Sequence, residues 1–314
     1  MDGVLVIDKP AGPTSHDVVA RARRALHEKR IGHTGTLDPM ATGVLPLVIG
    51  RATRLASLLS SSDKEYEAGV RLGSATDTYD AAERLGAGGA PPPAPPVDEA
   101  QIETVLARFR GTFEQMPPPY SAKKVGGVPA YKLARKQQPT SLSPVAVTVR
   151  ELTLLGLEDG LARLRITSTA GFYVRSLAHD LGVALGCGGH LETLRRTRAG
   201  VFGLDRALRF DDLDLRPQAA VDYLVPLSRL VMDLPAVRLT PRGTVRVSHG
   251  NSVSAQDFSV VGSGPEREGP DAEMRSGSLP GPGARVRVFD GADRLIAIAE
   301  MGPDRVLRPS VVLV

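Results

Sequence analysis

The sequence has very little cysteine and no tryptophan, and it lacks the motifs that most cofactor-dependent enzymes carry. A single cysteine, Cys187, among 314 residues excludes an internal disulfide framework, a thiolate zinc cluster and the paired cysteines of nucleobase deaminases. There is no phosphate-binding loop G-x-x-x-x-G-K-[ST], no strand-anchored G-x-G-x-x-G, no H-E-x-x-H and no nucleophile elbow. The six histidines are scattered, without the spacing of metal ligands. If the protein is an enzyme, we expect it to work without a metal or another cofactor.

Long apolar runs are missing too, and the net charge is small. No stretch approaches the roughly 20 apolar residues that a membrane-crossing helix needs, and Asp2 and Asp8 flank the first apolar run, unlike in a signal peptide. Lysine plus arginine number 39 and aspartate plus glutamate 35, so any polyanion-binding surface has to come from where the charges lie. We therefore expect a cytoplasmic protein without membrane association, with its cysteine reduced.

The length and the distribution of glycine and proline predict two domains. At roughly 150 residues per domain the chain is long enough for about two, and its pattern changes after Leu234 from mixed helices and strands to short β-like runs. We predict an α+β domain over 1–234 and a small β domain over 235–314. Two segments rich in glycine and proline, Gly86–Pro96 and Ser254–Ala284, are predicted to be flexible insertions.

Hydrophobic periodicity predicts the individual elements. Predicted helices run from Thr14 or Ser15 to about Glu28, and over Ala100–Arg110, Val174–Leu185 and His190–Arg198. Lys29–Thr42 is predicted to be a loop. Predicted strands are Gly3–Asp8, Val44–Ile49, Tyr66–Leu72, Val145–Leu157, Leu161–Thr167, Val237–Leu239, Thr244–Val247, Arg285–Phe289, Leu295–Ala299 and Val306–Val314.

The segment with the strongest chemical signal is RIGHTGTLDPMATGVLPLVIG, residues 30–50. A loop rich in glycine and threonine that leads directly into a buried strand can hold one side chain in a fixed place. Asp38 is that candidate, because the following Pro39 restricts its backbone to extended conformations. An isolated Asp-Pro pair is most often a turn, so the neighbouring sequence has to decide between the two interpretations.

Six blocks of the sequence supply that context. In their order and spacing they resemble the TruB family of bacterial tRNA pseudouridine-55 synthases along nearly the whole chain. The blocks are GVLVIDKPAGPTSHDVV (3–19), RIGHTGTLDPMATGVLPLVIGRATRL (30–55), KEYEAGVRLGSATDTYDA (64–81), PPPYSAKKVGGVPAYKLAR (117–135), GFYVRSLAHDLG (171–182) and HLETLRRTRAGVF (190–202).

The resemblance implies a fold and an activity. The fold is a mixed, mostly antiparallel central sheet flanked by helices, followed by a small C-terminal β-barrel of the RNA-binding PUA type. The loop Ser254–Ala284 is longer than the resemblance leads us to expect there. The implied activity is isomerisation of the T-loop uridine at position 55 of tRNA to pseudouridine, with the base flipped out of its stack. Because this reaction needs no external atom or oxidant, it agrees with the missing cofactor motifs.

The resemblance also implies three catalytic residues. Asp38 is the carboxylate that assists cleavage of the glycosidic bond, and the residues leave open whether it attacks C1′ of the ribose, attacks C6 of the base or assists glycal formation. Arg175 pairs with Asp38 and opposes the rise in its pKa that burial causes. Tyr66 lies against the flipped base and removes the proton from C5.

Further positions are implied to surround the substrate. Leu194 forms the opposite wall of the pocket, His33 fills the space that the flipped base leaves, and Lys9, in the turn with Pro10, supports the catalytic loop. The family's mobile thumb over the T-arm of tRNA corresponds to residues 115–150, where the sequence has six basic residues and no acidic one. The candidate phosphate-binding residues are Lys123, Lys124, Lys132 and Arg135 in that segment, and Arg195, Arg196 and Arg198 farther on.

Two other functions stay open. One is a guide-RNA-dependent pseudouridine synthase, which shares the aspartate loop and the PUA module. The other is a protein that binds or folds RNA without catalysis. The basic insertion at 115–150 favours a stand-alone enzyme, and Asp38, Tyr66 and Arg175 together favour catalysis. We expect a monomer that acts on the T-arm of tRNA without an obligatory protein partner.

Overall fold

The structure, a computed structural model, describes residues 1–81, 96–121, 123–134, 142–261 and 280–314. Its helices are Ser15–Ala25 (α1), Ala56–Ser60 (α2), Glu99–Leu106 (α3), Ala130–Ala134 (α4), Val174–Ala184 (α5), Asp212–Leu215 (α6), Ala219–Asp222 (α7) and Pro241–Ser248 (α8). Its strands are Gly3–Lys9 (β1), Ile31–His33 (β2), Thr42–Ile49 (β3), Lys64–Leu72 (β4), Gly111–Gln115 (β5), Lys124–Val125 (β6), Val128–Pro129 (β7), Val145–Glu158 (β8), Leu161–Ser168 (β9), Gly189–Ala199 (β10), Phe202–Gly203 (β11), Leu208–Arg209 (β12), Leu224–Pro226 (β13), Ala236–Leu239 (β14), Phe258–Val261 (β15), Arg285–Phe289 (β16), Leu295–Met301 (β17) and Leu307–Val312 (β18).

A large mixed sheet forms the centre of the protein. Its strands follow the order β12-β1-β3-β10-β4-β9-β8-β5, with β2, β11 and β13 attached at the side. Among the described strand pairs of this sheet, only β1–β12 and β3–β10 are parallel. The mixed, mostly antiparallel sheet of the predicted α+β class is therefore confirmed. No helix in the described part of the chain is long and apolar enough to cross a membrane.

The first strands are apolar at consecutive positions because both of their faces are covered. On β1, Leu5 and Ile7 pack into a core with α1 and α5, whereas Val4 and Val6 face a second core on the other side. That second core contains Leu295 and Leu313 from the C-terminal segment. Strands buried on both faces have continuous rather than alternating hydrophobic residues, and these strands carry the loops of the candidate site.

The C-terminal segment builds a second sheet in the order β15-β14-β16-β17-β18, and α8 packs against it. Within the described residues this sheet is open, with β15 and β18 at its edges. It has its own apolar core, to which Val237, Val247 and Val286 belong. The Arg51 guanidinium donates a 3.1 Å hydrogen bond to the carbonyl of Leu313, which joins this segment to the central sheet.

Four predicted elements are wrong. His190–Arg198 is not a helix but most of β10, where two register shifts break the strand alternation and give Leu191 and Leu194 a helix-like spacing. Thr244–Val247 is not a strand but part of α8, which Thr240 caps and Pro241 begins. Two predicted loops contain strands: β2 lies within 29–42 and β15 within 254–284.

Gly43 on β3 lies directly against the backbone of Arg196 on β10. Its φ of +99° is disfavoured for side chains other than hydrogen, and a Cβ there would lie 2.2 Å from the carbonyl oxygen of Arg196. We expect Gly43→Ala to lower the free energy of unfolding by about 3 kcal/mol, because backbone strain and overpacking add. Chemical denaturation measures this change.

Gly12→Ala is the matched control. Gly12 also has a positive φ, +109°, but a Cβ there has no neighbour within 4 Å. It isolates the backbone strain, which costs about 1 kcal/mol. Equal losses for the two variants would show that the contact between β3 and β10 is not tight at Gly43.

Candidate active site

Asp38 lies on a loop that the first helix holds in place. Ser15, at the start of α1, donates its hydroxyl to the carbonyl of Leu37 at 3.0 Å and accepts from the Leu37 amide at 2.9 Å. The amide of Ala41 closes a turn by donating to the carbonyl of Asp38 at 3.0 Å. Both backbone groups of the residue before Asp38 are thus fixed by one buried side chain.

Lys9 supports the same loop from β1. Its side chain is fully buried, and its ammonium donates to the carbonyls of Pro10, Pro39 and Ala41 at 2.9, 3.1 and 2.7 Å. Burial lowers the pKa of Lys9 to about 8, and the Asp38 carboxylate opposes that change. These three hydrogen bonds use all three N–H donors of the ammonium. Lys9 therefore holds the backbone of the Asp38 loop in place from β1.

The Asp38 carboxylate forms a two-point ion pair with Arg175 near the start of α5. The Arg175 Nε lies 3.0 Å from Asp38 Oδ2, and its Nη2 donates to Asp38 Oδ1 at 3.3 Å. The arginine side chain is 8% exposed and that of the aspartate 31%, so the guanidinium is buried while the carboxylate stays accessible. This arrangement presents one carboxylate edge to solvent in a fixed direction.

The Arg175 guanidinium has further partners that keep it in position. It donates to the carbonyls of Thr78 at 3.1 Å and Tyr120 at 3.0 Å, and its Nη1 lies 3.5 Å from a carboxylate oxygen of the buried Asp80. Burial raises the pKa of Asp38; the charge of Arg175 opposes that rise and the charge of Asp80 adds to it. A carboxylate in this environment is a better base and nucleophile than one in water.

Tyr66 and Leu194 lie on neighbouring strands next to this loop. In the register of β4 and β10, Leu194 pairs with Ala68 and Arg196 with Tyr66. Leu194 is buried and Tyr66 half-buried, and both belong to the core that α1 and α5 cover. The Thr42 hydroxyl, at the end of the loop that carries Asp38, donates to the carbonyl of Leu194 at 3.4 Å. The Asp38 loop leads into β3, which lies next to β10 with Leu194, and β10 lies next to β4 with Tyr66.

Comparisons with known proteins agree with this geometry. The model of the TruB family pseudouridylate synthase N-terminal domain matches residues 23–174, and that of the tRNA pseudouridylate synthase B C-terminal domain matches 175–232. Asp38 and Tyr66 lie within the first match, and Arg175 is the first residue of the second. The protein is 48% identical over 260 residues to tRNA pseudouridine synthase B of Solibacter usitatus, covering 82% of this chain and 88% of that one. The chain belongs to the TruB family.

Other relatives extend the similarity to the full length of this TruB-family chain. The tRNA pseudouridine synthase B of Burkholderia mallei is 39% identical over 314 residues, 98% of this chain and 97% of that one. Among solved structures, a Cbf5-Nop10-Gar1 complex matches with a TM-score of 0.72 and 26% identity over 99% of this chain and 85% of that one. An H/ACA RNP bound to a substrate RNA containing 2′-deoxyuridine matches with a TM-score of 0.70 and 25% identity, over the same shares of the two chains.

His33 ends β2 at the rim of the aspartate loop. Its Nδ1 accepts a hydrogen bond from the Gly35 amide at 3.3 Å, and its ring meets that of His16 edge to face, with centroids 5.7 Å apart. Burial, together with the charges of His16 and Arg196, lowers the pKa of His33. In this TruB-family protein the imidazole is therefore neutral at neutral pH, a flat group suited to filling space in a stack.

The three arginines of β10 differ in what they can reach. Arg195 forms a two-point ion pair with Asp8, at 3.1 and 2.9 Å, and Arg198 donates to Glu65 at 3.2 Å; both side chains remain partly exposed. Arg196 is buried, and its guanidinium contacts backbone carbonyls. The prediction that Arg196 binds phosphate is wrong, because its side chain is only 2% exposed and its guanidinium donates to carbonyls inside the protein.

The basic insertion is described only in part. The Lys123 ammonium donates to the carbonyl of Ser143 at 2.9 Å and stays partly exposed. The side chains of Lys124 and Lys132, and the whole of Arg135, lie outside the described residues. So do the predicted flexible segment 86–95 and most of the predicted loop 254–284.

Sequence reasoning missed two residues of the TruB-family site. Asp80 lies inside the block 64–81, but nothing in its neighbours indicates that its loop returns to Arg175. Tyr173 precedes that arginine; its backbone amide and carbonyl are both held by Gln115, at 2.8 and 3.0 Å. Burial raises the pKa of Tyr173, and the charge of Arg175 opposes that rise.

Proposed function

We propose that this protein is a stand-alone tRNA pseudouridine synthase that isomerises the T-loop uridine at position 55 of tRNA without a cofactor. The observation that carries the proposal is the Asp38 carboxylate, accessible on a clamped loop and paired at two points with the buried Arg175. The relatives named tRNA pseudouridine synthase B support tRNA as the substrate. In this assignment the enzyme is an isomerase.

The chemistry requires one well-placed anion. Breaking the C1′–N1 bond leaves an electron-poor sugar, and a carboxylate stabilises it or attacks it directly. Asp38 meets the requirement whether it acts at C1′, at C6 or in glycal formation. Arg175 keeps it ionised once the flipped base has excluded water, since a neighbouring cation favours the charged form.

The residues around Asp38 fit the remaining steps. Tyr66 supplies a ring against the flipped uracil and a hydroxyl to take the C5 proton. Leu194 closes the opposite wall, and the neutral His33 fills the space that the extruded base leaves in the RNA. Lys9 holds the catalytic loop and takes no part in the chemistry, because its donors are already used inside the protein.

The insertion at 115–150 is the proposed grip on the T-arm. Its excess of lysine and arginine suits phosphate contacts, and Arg195 and Arg198, both partly exposed, extend the same charge toward the site. The C-terminal segment, from residue 235 on, is proposed to be a PUA-like module that contacts RNA. In support of a barrel-like closure, Val253 exchanges two backbone hydrogen bonds with Leu307 on β18, the edge strand opposite β15.

Replacing Lys123, Lys124, Lys132 and Arg135 together by glutamine tests the grip. We expect tRNA affinity to fall, and the slope of log affinity against log salt to flatten by about 0.9 for each lost contact with duplex phosphate. Filter binding at several salt concentrations measures both. Changing Arg163 and Arg165, exposed arginines of β9, to glutamine is the control. An unchanged slope in the fourfold variant would make the insertion a solvated loop.

A guide-RNA-dependent activity is the second candidate, because the Cbf5 and H/ACA structures share this fold at a TM-score of about 0.7. Incubating the purified chain with a bare tRNA transcript, followed by mapping of pseudouridine, separates the two. We expect product at position 55 with no added RNA or protein, from a monomeric, cytoplasmic enzyme. Product only after addition of a guide RNA or a partner protein would favour the second candidate.

A further inference from the structure

Arg196 lies in the interior between the strands that carry the proposed catalytic residues. On β10 it pairs with Tyr66 of β4 on one side and with Gly43 of β3 on the other. Its side chain is 2% exposed and is among the largest fully buried side chains in the described part of the protein. Burying an arginine is costly unless its donors and its charge are satisfied, so its contacts need an explanation.

The guanidinium of Arg196 joins two parts of the site and belongs to the residue that pairs with a third, Tyr66. Its Nε donates to the carbonyl of Val44 at 2.7 Å, and its Nη2 donates to the carbonyl of Gly35 at 3.1 Å. Tyr66 is its register partner on β4, so the two side chains project from the same face of the sheet. Burial lowers the pKa of Arg196, and the neighbouring Tyr66 opposes that change. Gly35 begins the loop that carries Asp38. One planar group therefore links that loop to strand β3, next to the side chain of the proposed catalytic phenol.

The charge of Arg196 has no carboxylate to balance it. Within the described residues its guanidinium makes no ion pair, and a second buried cation, Lys64, lies close by. A Cβ added to Gly35 would lie 3.4 Å from Arg196 Nη1 and 4.0 Å from Lys64 Cε. Burial and the charge of Arg196 lower the pKa of Lys64 to about 8, and the charge of Asp63 opposes that change. A buried cation without a carboxylate partner, as Arg196 is within the described residues, opposes folding, and such arrangements cluster at functional sites.

We propose that Arg196 is a positioning residue for Tyr66: it orients the phenol and stabilises the negative charge of the phenolate that takes the C5 proton. The assignment rests on the proposed function. In that step the C5–H bond breaks, its proton goes to the Tyr66 oxygen and its electron pair restores the double bond of the uracil ring. N1 of the ring takes a proton from water, and the hydroxide that remains takes the proton from the Tyr66 phenol, so the phenolate is restored and the isomerisation neither gains nor loses protons.

The C5 proton supplies a readout that a structural role would not change. Transcripts with protium or deuterium at uridine C5 are followed under single-turnover conditions with wild type, Arg196→Met and Arg196→Lys. For Arg196→Met we expect the rate to fall about 100-fold, unchanged tRNA affinity, and a deuterium isotope effect larger than that of wild type. Arg196→Lys keeps the charge but not the planar guanidinium, so its rate is expected to lie between those of wild type and Arg196→Met. Arg163→Met, at an exposed position of β9, is the control.

Each outcome decides the proposal. A slower reaction with a larger isotope effect supports Arg196 acting through Tyr66. A slower reaction with an unchanged isotope effect overturns it, because Arg196 would then only hold the fold or the Asp38 loop. If Arg196→Met does not fold, Arg196→Lys carries the test by the same criterion. A wild type that forms no pseudouridine contradicts the proposed function itself, which the other outcomes do not.

Discussion

Asp38→Asn is expected to form no measurable pseudouridine while binding tRNA as tightly as wild type. The amide is nearly the same size as the carboxylate and still accepts hydrogen bonds from Arg175, but it carries no charge to stabilise the sugar and is no nucleophile. Losing a catalytic nucleophile costs on the order of 10⁴-fold or more in rate. Single-turnover product formation, together with a binding titration on the same tRNA, measures the two quantities separately.

Ser176→Ala is a suitable control for Asp38→Asn. Ser176 follows Arg175 on α5 and is buried, but its hydroxyl donates to the carbonyl of Met116 at 2.7 Å, outside the ion pair. It therefore reports the cost of disturbing the neighbourhood without changing the carboxylate. An Asp38→Asn protein that retained even a hundredth of the wild-type rate, a loss of only about 3 kcal/mol, would remove Asp38 from the centre of the mechanism.

Arg175→Met is the second change with a large expected effect, on both stability and pH dependence. It leaves Asp38 beside the buried Asp80 with no cation between them, and breaking a buried ion pair costs about 3–5 kcal/mol. The partial exposure of Asp38 places the expected loss toward the lower end. Thermal or chemical unfolding measures it, and Arg175→Lys, which keeps the charge, separates the charge from the guanidinium geometry.

The pH profile of the same variant follows from the sign of the Asp38 shift. Burial and the charge of Asp80 raise the pKa of Asp38, and Arg175 opposes that rise. Removing Arg175 raises the pKa further. Since the ionised carboxylate is the active form, the rate falls as pH drops through this pKa, and the acid limb is expected to move to higher pH in the variant. A limb that stayed in place would assign the acid limb to another group.

Which elements the sequence predicted depends on how the strands are buried. Tyr66–Leu72 and Leu161–Thr167 alternate between an exposed and a buried face, and the structure confirms both as parts of β4 and β9. Val44–Ile49 is buried on both faces, and its continuous run of apolar residues also predicted a strand correctly. Strand β10 was mispredicted as a helix because its two register shifts place buried residues three positions apart.

The candidate site was predictable only as far as local motifs extend. Asp38 stands in a motif that could be recognised from the sequence alone. Its ion-pair partner, Arg175, lies 137 residues away, and only the resemblance to a family indicated that the two residues pair. Asp80 and the carbonyl of Tyr120 reach the guanidinium through loops whose paths depend on tertiary packing. For Arg196 the sequence predicted a surface role, because an arginine among arginines resembles a phosphate-binding cluster, and no local pattern distinguishes a buried member.

The network around Asp38 shows how this site is kept rigid. Ser15 and Lys9 fix the loop from α1 and β1, Arg175 fixes the carboxylate from α5, and Arg196 fixes the loop's beginning from β10. All four are charged or polar side chains buried in the protein, and their hydrogen bonds go chiefly to backbone carbonyls. A pre-organised carboxylate of this kind loses little free energy to reorganisation when the substrate arrives.

The central claim is that this chain alone isomerises the T-loop uridine of tRNA. Its most direct test is tritium release from a transcript labelled at uridine C5, since replacing the C5–H bond by a C5–C1′ bond frees that hydrogen. We expect release of one tritium per tRNA by the purified wild-type protein, with the product at position 55. No release from a tRNA that the protein binds tightly, or release from uridines outside the T-loop, would contradict it.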